Sequence, residues 1–148
     1  MKKINDIKLY LYFSIITAGI GLLLTLTFSY SAYIVEPEIE TLLEKQETIN
    51  DNFKTAYQKL KNPQIFARYE NYDSISRPIE SIITVFDKKI EDGEAFDIND
   101  KIYLHVLLER RKMGAQLTRN TSIFFYAISL LGWIFCFAEM IQNKKNAG

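Results

Sequence analysis

The chain holds little of what enzymes and small secreted domains are built on. One cysteine and one histidine serve 148 residues. A lone Cys136 excludes an internal disulfide and a multi-cysteine metal site, and it reads as a small buried hydrophobe. His105, in YLHVLLERR, has no cysteine or spaced carboxylate to join it in zinc binding or nucleophilic catalysis. The six glycines form no phosphate-binding loop or dinucleotide fingerprint, and there is no serine elbow. The acidic group Glu91, Asp92, Glu94, Asp97 and Asp100 lacks the ordered spacing of a calcium loop and reads as a solvated, helix-starting cap. Acidic and basic side chains balance at 18 each, so no basic domain points to nucleic acid. No cluster combines nucleophile, base and charge stabiliser. The expectation is a protein that is not an enzyme, with no cofactor, no metal, no nucleic-acid partner and no evident small-molecule substrate.

What the chain does have is two long runs without charge. Leu9 to Val35 contains no Asp, Glu, Lys, Arg or His. It exceeds the roughly 20 apolar residues that a helix needs to cross a hydrocarbon core. Asn120 to Ala138 is a second such run, nearer that minimum. Between them residues 36–119 carry 16 acidic and 13 basic side chains. This pattern predicts an all-α membrane protein, with two transmembrane helices joined by a helical extramembrane hairpin bearing a small distal cap. The expected divisions are a basic N-terminal segment at 1–8, the first span at 9–34, the extramembrane domain at 35–120, the second span at 121–141 and a short tail at 142–148. Lys2 and Lys3 ahead of an apolar run resemble a signal peptide, but the run is longer than the roughly 7 to 15 residues of an h-region. An uncleaved anchor is expected.

Each span carries a stripe of small or polar residues. In the first, Ser14, Ala18, Gly21 and Thr25 recur at three-four spacing, and Ala32 falls on the same line. In the second, Ser129, Gly132, Cys136 and Glu139 do the same. Small residues let helix backbones approach closely, so these positions are expected to pack against each other or make an oligomer contact. Gly21 and Gly132 are expected at similar depth. Tyr10, Tyr12, Tyr30 and Tyr33 suit the two lipid interfaces of the first span. Glu139 lies near the end of the second span, where an interfacial ion pair with Lys8 would avoid the cost of a buried carboxylate.

In the middle, Pro37 fits the first turn of a helix expected to run to about Lys61. Ile39, Leu42, Gln46, Ile49, Phe53, Ala56 and Leu60 keep heptad spacing, with Gln46 as the one polar member. Asn62-Pro63 ends or kinks that helix, residues 64–70 suit a short one, and 71–76 are turn-like. Pro78 opens a further helix to about Glu91, although its IITV stretch also suits a strand. Asp97 caps the last helix, with Asp100 three residues later. Ile102, Val106, Met113 and Leu117 supply its seam, with Leu107 and Leu108 widening the apolar face. Two helices of about 20 residues rise roughly 30 Å each. The predicted stalk is therefore an antiparallel pair, with residues 62–97 at its tip.

Arg110, Arg111 and Lys112 are expected to face Glu40, Glu44 or Glu47, and Arg119 borders the second span. Lysine and arginine near the spans divide evenly between the two sides. The lysines before the first span and the acids after it lead to the expectation that both termini are cytoplasmic, and the Lys, Asn and Ile bias points to a bacterial inner membrane. The reading that follows is an accessory or scaffold subunit. It binds membrane lipids and another membrane protein or complex, or forms a homo-oligomer. Two alternatives stay open. One is an oligomeric pore lined by Ser14, Thr17, Thr25 and Thr27; the other is a sensor acting through a partner.

Overall fold

The computed structural model describes residues 2–45, 47–61 and 73–145. The described residues are all-α and contain no strand. Helix α1 spans Lys2–Tyr30 and passes into a π-helical turn at Ser31–Val35. Helices α2 (Glu36–Glu44), α3 (Ile49–Lys61), α4 (Asp73–Glu91) and α5 (Asp100–Lys145) follow. Two compact units result. One comprises Met1–Phe28 with Leu117–Gly148, and the other is Ser29–Gln116.

The first unit is built from α1 and the C-terminal half of α5. Two helical stretches are long and apolar enough to cross a membrane, Asp6–Glu44 and Asp100–Lys145. Only 22% of the most apolar window of each is buried.

The second unit packs around Val35, Ile39, Leu43, Phe53, Ala56, Tyr57, Phe86, Phe96, Leu104, Leu107 and Leu108. Each large apolar side chain taken from water in this core contributes about 2 kcal/mol. Helix α2 continues the helical path of α1 through the π turn, with Val35 and Glu36 both right-handed helical and the Glu36 N–H bonded to the Ser31 carbonyl, so the chain does not break at Pro37 as a fresh helix start would require. Helix α2 lasts only nine residues. Lys45 is extended, at φ −67° and ψ 121°, and Thr48 takes a left-handed φ of 54°. The chain then turns back as α3, and Lys59 meets Glu38 at 2.9 Å.

The single helix expected from Glu38 to Lys61 is thus two short antiparallel ones. The reason lies in residues 44–48, EKQET, which offer no apolar side chain to bury. Folding there instead sets Ile39 and Leu43 in one core with Phe53, Ala56 and Tyr57. Of the expected seam, Ile39 and Phe53 are buried, and Leu42, Ile49 and Leu60 are partly buried against the core. Gln46 lies outside the described residues.

Helix α4 resolves the ambiguous IITV stretch as helical. It begins at Asp73, five residues ahead of the expected Pro78. The expected break at Asn62-Pro63 and the short helix at 64–70 lie outside the described residues, as does the start of the turn at 71–76. Phe86 sits 5.2 Å from Tyr57 and 5.3 Å from Phe96, ring centre to ring centre. These residues belong to the common core, so α4 is a packed member of the bundle and not a separate tip. Gly93, at φ +71°, ends α4. Its N–H reaches the Ile90 carbonyl at 3.2 Å, and the Glu94 N–H reaches the Lys89 carbonyl at 2.9 Å. This is the paired closure that a left-handed glycine permits.

A reciprocal cap starts α5. The Asn99 N–H donates to Asp97 Oδ1 at 2.7 Å, and the Asp97 N–H donates to Asp100 Oδ2 at 2.8 Å. Lys89 completes the corner at 2.6 Å from the same Asp100 oxygen. The face of α5 turned to the core is Leu104, Leu107, Leu108 and Ala115. The expected seam of Ile102, Val106, Met113 and Leu117 is exposed. Both stripes have helical spacing. The buried one brings two adjacent leucines and small residues at Gly114 and Ala115, which bury more area and admit closer neighbours.

Candidate functional site

Two constellations carry the chemistry of this chain. The first is the seam between α1 and α5 within the first unit. Ser14 is fully buried, and its hydroxyl donates to the Tyr10 carbonyl at 2.8 Å. Its own carbonyl accepts the Ser129 hydroxyl at 2.8 Å. Gly132 faces the Ser14 hydroxyl so closely that a Cβ added to the glycine would collide with it. Gly21 faces the ring of Tyr126, whose Cε1 would lie 3.0 Å from such a Cβ. Thr25 and the Tyr126 hydroxyl are 3.2 Å apart, and Thr25 also donates to the Gly21 carbonyl. Lower on the seam, Tyr10 and Phe135 rings lie 5.8 Å apart, and buried Cys136 points its Sγ at the Ile7 carbonyl from 4.0 Å.

The seven residues expected at this seam fall unevenly. Ser14, Gly21, Ser129, Gly132 and Cys136 are buried, and Ala18 and Thr25 are half-buried. Thr17 and Leu24, outside the expected set, are buried more deeply than those two. The glycines are not level with each other. Each admits a side chain from the opposite helix, a serine hydroxyl at Gly132 and a tyrosine ring at Gly21. Lys8 is exposed, Glu139 is half-buried, and no ion pair joins them in the structure. Arg119 lies over the Phe28 ring, 5.9 Å from its centre.

The second constellation is a polar cluster inside the second unit. Glu36 and Ser31 are both buried, and the Ser31 hydroxyl donates to Glu36 Oε1 at 3.0 Å. Arg111 Nε donates to that hydroxyl at 3.3 Å, and its Nη1 donates to the Lys59 carbonyl at 3.1 Å. Burial draws the Arg111 guanidinium below its ordinary value, while the Glu36 carboxylate pulls the other way. Beside it Lys112 bridges Glu40 at 2.8 Å and Glu109 at 2.9 Å. Those two carboxylates hold its ammonium above the usual lysine range. The sequence places Arg111 in a basic triplet facing acids, and Glu40 is the acid that Lys112 meets. The Ser31–Glu36 contact has a spacing of five, which an α-helical reading does not register.

Among the described residues no group of three or more His, Cys, Asp or Glu side chains could hold a metal ion. His105 is exposed. Asp97 and Asp100 of the acidic group are committed to the α5 cap and Lys89. No protein-family model matches the chain, and neither a curated protein nor a solved structure matches it.

Proposed function

We propose that this is a two-span integral membrane protein, not an enzyme, that serves as an accessory or scaffold subunit. The observation that carries the reading is the division of the apolar surface in the first unit. The inward seam is small and polar, while Leu22, Leu23, Leu26, Leu130, Leu131, Ile134 and Phe137 point outward and are more than half exposed. In water that surface would drive aggregation; in hydrocarbon it has its solvent.

The second unit offers the partner surface in this proposal. Ile102, Val106 and Met113 leave apolar area uncovered along one side of α5, and Ile98 is exposed just ahead of it. In this proposal the partner is a protein held in the same membrane, so that these few apolar side chains need not supply the roughly 800 Å² a side of a free-standing interface by themselves. The pore alternative is the less favoured reading, since Ser14 and Thr17 are buried within a single copy.

The test has two stages. Washing membranes with alkaline carbonate is expected to leave the protein in the pellet. Photo-cross-linking from Ile102 and Met113 is then expected to capture a membrane protein, or a second copy, at higher yield than from exposed Asp51. Release by carbonate would overturn the membrane reading. Retention with equal yields at all three positions would overturn the partner surface alone.

A further inference from the structure

A π turn inserts one extra residue into a helix. Here it does so between Tyr30 and Glu36, both of which have ordinary right-handed helical angles. In an α-helix, residues five apart lie about 140° apart around the axis and their side chains do not meet. In this turn the Glu36 N–H donates to the Ser31 carbonyl, and the Ser31 hydroxyl donates to the Glu36 carboxylate. Backbone and side chains use the same five-residue step. Arg111 closes the arrangement from α5 through Ser31 and the Lys59 carbonyl. The π turn brings Ser31 and Glu36 together, and Arg111 meets the pair from α5. An α-helical turn would separate Ser31 from Glu36 and strip a buried hydroxyl, a buried carboxylate and a half-buried guanidinium of shared partners.

We propose that Arg111 is a latch holding this helix in its π register, and that freeing the latch turns α2 by about 100°, one residue's worth of helical phase. In the latched form Ile39 and Leu43 are 0% and 1% exposed. In the released form the residues one position earlier, Glu38 and Leu42, occupy their directions. The rotation gives up the Glu38–Lys59 bridge, and the Arg111 bonds to Ser31 and the Lys59 carbonyl hold the π register as the resting state. Displacement of Arg111 by an event on α5 is then read out as the phase of α2. The inference uses only contacts within the second unit, so it holds whether or not the spans lie in a bilayer.

The experiment places single cysteines at 38, 39, 42 and 43 in a Cys136→Ser background and measures maleimide labelling rates on the purified full chain. Three backgrounds are compared: otherwise unaltered, Arg111→Met, and Arg111→Met with Ile34 deleted. Unaltered protein is expected to label about tenfold faster at 38 than at 39 or 43. Arg111→Met is expected to invert the pattern, exposing 39 and 43 and protecting 38 and 42. Deleting Ile34 removes the inserted residue, so an α-helical connection then reaches the latched phase, and protection of 39 and 43 is expected to return. An unchanged pattern in Arg111→Met would overturn the proposal. So would equal acceleration at all four sites, which is melting and not rotation, or failure of the deletion to restore protection.

Discussion

The Ser129 hydroxyl donates a 2.8 Å hydrogen bond to the backbone carbonyl of Ser14, 115 residues earlier in the chain. One turn further along α5, Gly132 leaves the space that the Ser14 hydroxyl fills. A main-chain acceptor can be reached in this way only where the facing residues are small, so the bond and the glycine are two aspects of one close approach.

Gly132→Ala is expected to destabilise the first unit by about 1–3 kcal/mol, the usual cost of overpacking. The atom in the way is the Ser14 Oγ, and the Ser14 Cβ would sit at ordinary contact distance, 3.4 Å. Ser14→Ala is therefore expected to recover much of the loss in the double variant. Thermal unfolding in detergent of the four members of this cycle checks the coupling. Additive effects would mean that the two residues do not face each other.

Tyr57 is buried in the aromatic group with Phe86 and Phe96, and its hydroxyl reaches Asp87 Oδ1 at 2.7 Å and the Ile83 carbonyl at 3.1 Å. Tyr57→Phe keeps the ring and removes both bonds. Asp87 retains Lys61 at 2.7 Å, so no carboxylate is orphaned. The expected cost is about 1 kcal/mol in denaturant unfolding. Tyr57→Ala, which empties the ring site as well, is expected to cost about 3–5 kcal/mol.

The same contact sets a pH profile. Hydrogen bonds from Lys61 and then Tyr57 hold the Asp87 carboxyl below its ordinary value. Its stabilising contribution is full above the unfolded value of about 3.9 and is lost as pH falls through the lower folded value. Burial, and then Asp87, raises the Tyr57 phenol. That contribution is full below about pH 10 and is lost as pH rises toward the higher folded value. Stability of the second unit is thus expected to fall off on both sides of a neutral plateau. Asp87→Asn is expected to flatten the acid limb and Tyr57→Phe the alkaline one. Unfolding midpoints measured across pH check both.

Gly93 holds a φ of +71° with open space around it, so only backbone strain opposes a side chain there. Gly93→Ala is expected to cost about 1 kcal/mol, and Gly93→Asn less, because asparagine tolerates the left-handed region. Equal stability of all three proteins would show that the turn after α4 is not locked.

The long helices were legible because an absence of charge over a span's length needs no tertiary information. So was the start of α5, where Asp97 and Asp100 stand at the spacing of a reciprocal cap. The α2–α3 hairpin was hidden by a three-four pattern that continues through a reversal. The five polar residues 44–48 were the available signal, and Gln46 was its centre. On α5 two apolar faces competed, Ile102 with Met113 and Leu104 with Leu108. Only the neighbouring helices decide between them. In α1 the stripe drifted, so Thr17 and Leu24 took burial expected at Ala18 and Thr25. The Ser31–Glu36–Arg111 cluster was out of reach, since it joins residues five apart in a helix to a third 80 residues away.

The proposal that the apolar halves of α1 and α5 lie in a bilayer is tested most directly by the chain's one tryptophan, Trp133, which sits near the middle of the second charge-free run. The protein is reconstituted in vesicles whose lipids carry bromine at chosen depths along the acyl chains, and tryptophan emission is recorded. The account predicts blue-shifted emission, strong quenching by bromine deep in the chains, and little quenching by acrylamide in the water. Emission typical of water, quenched by acrylamide and indifferent to the brominated lipids, would contradict it.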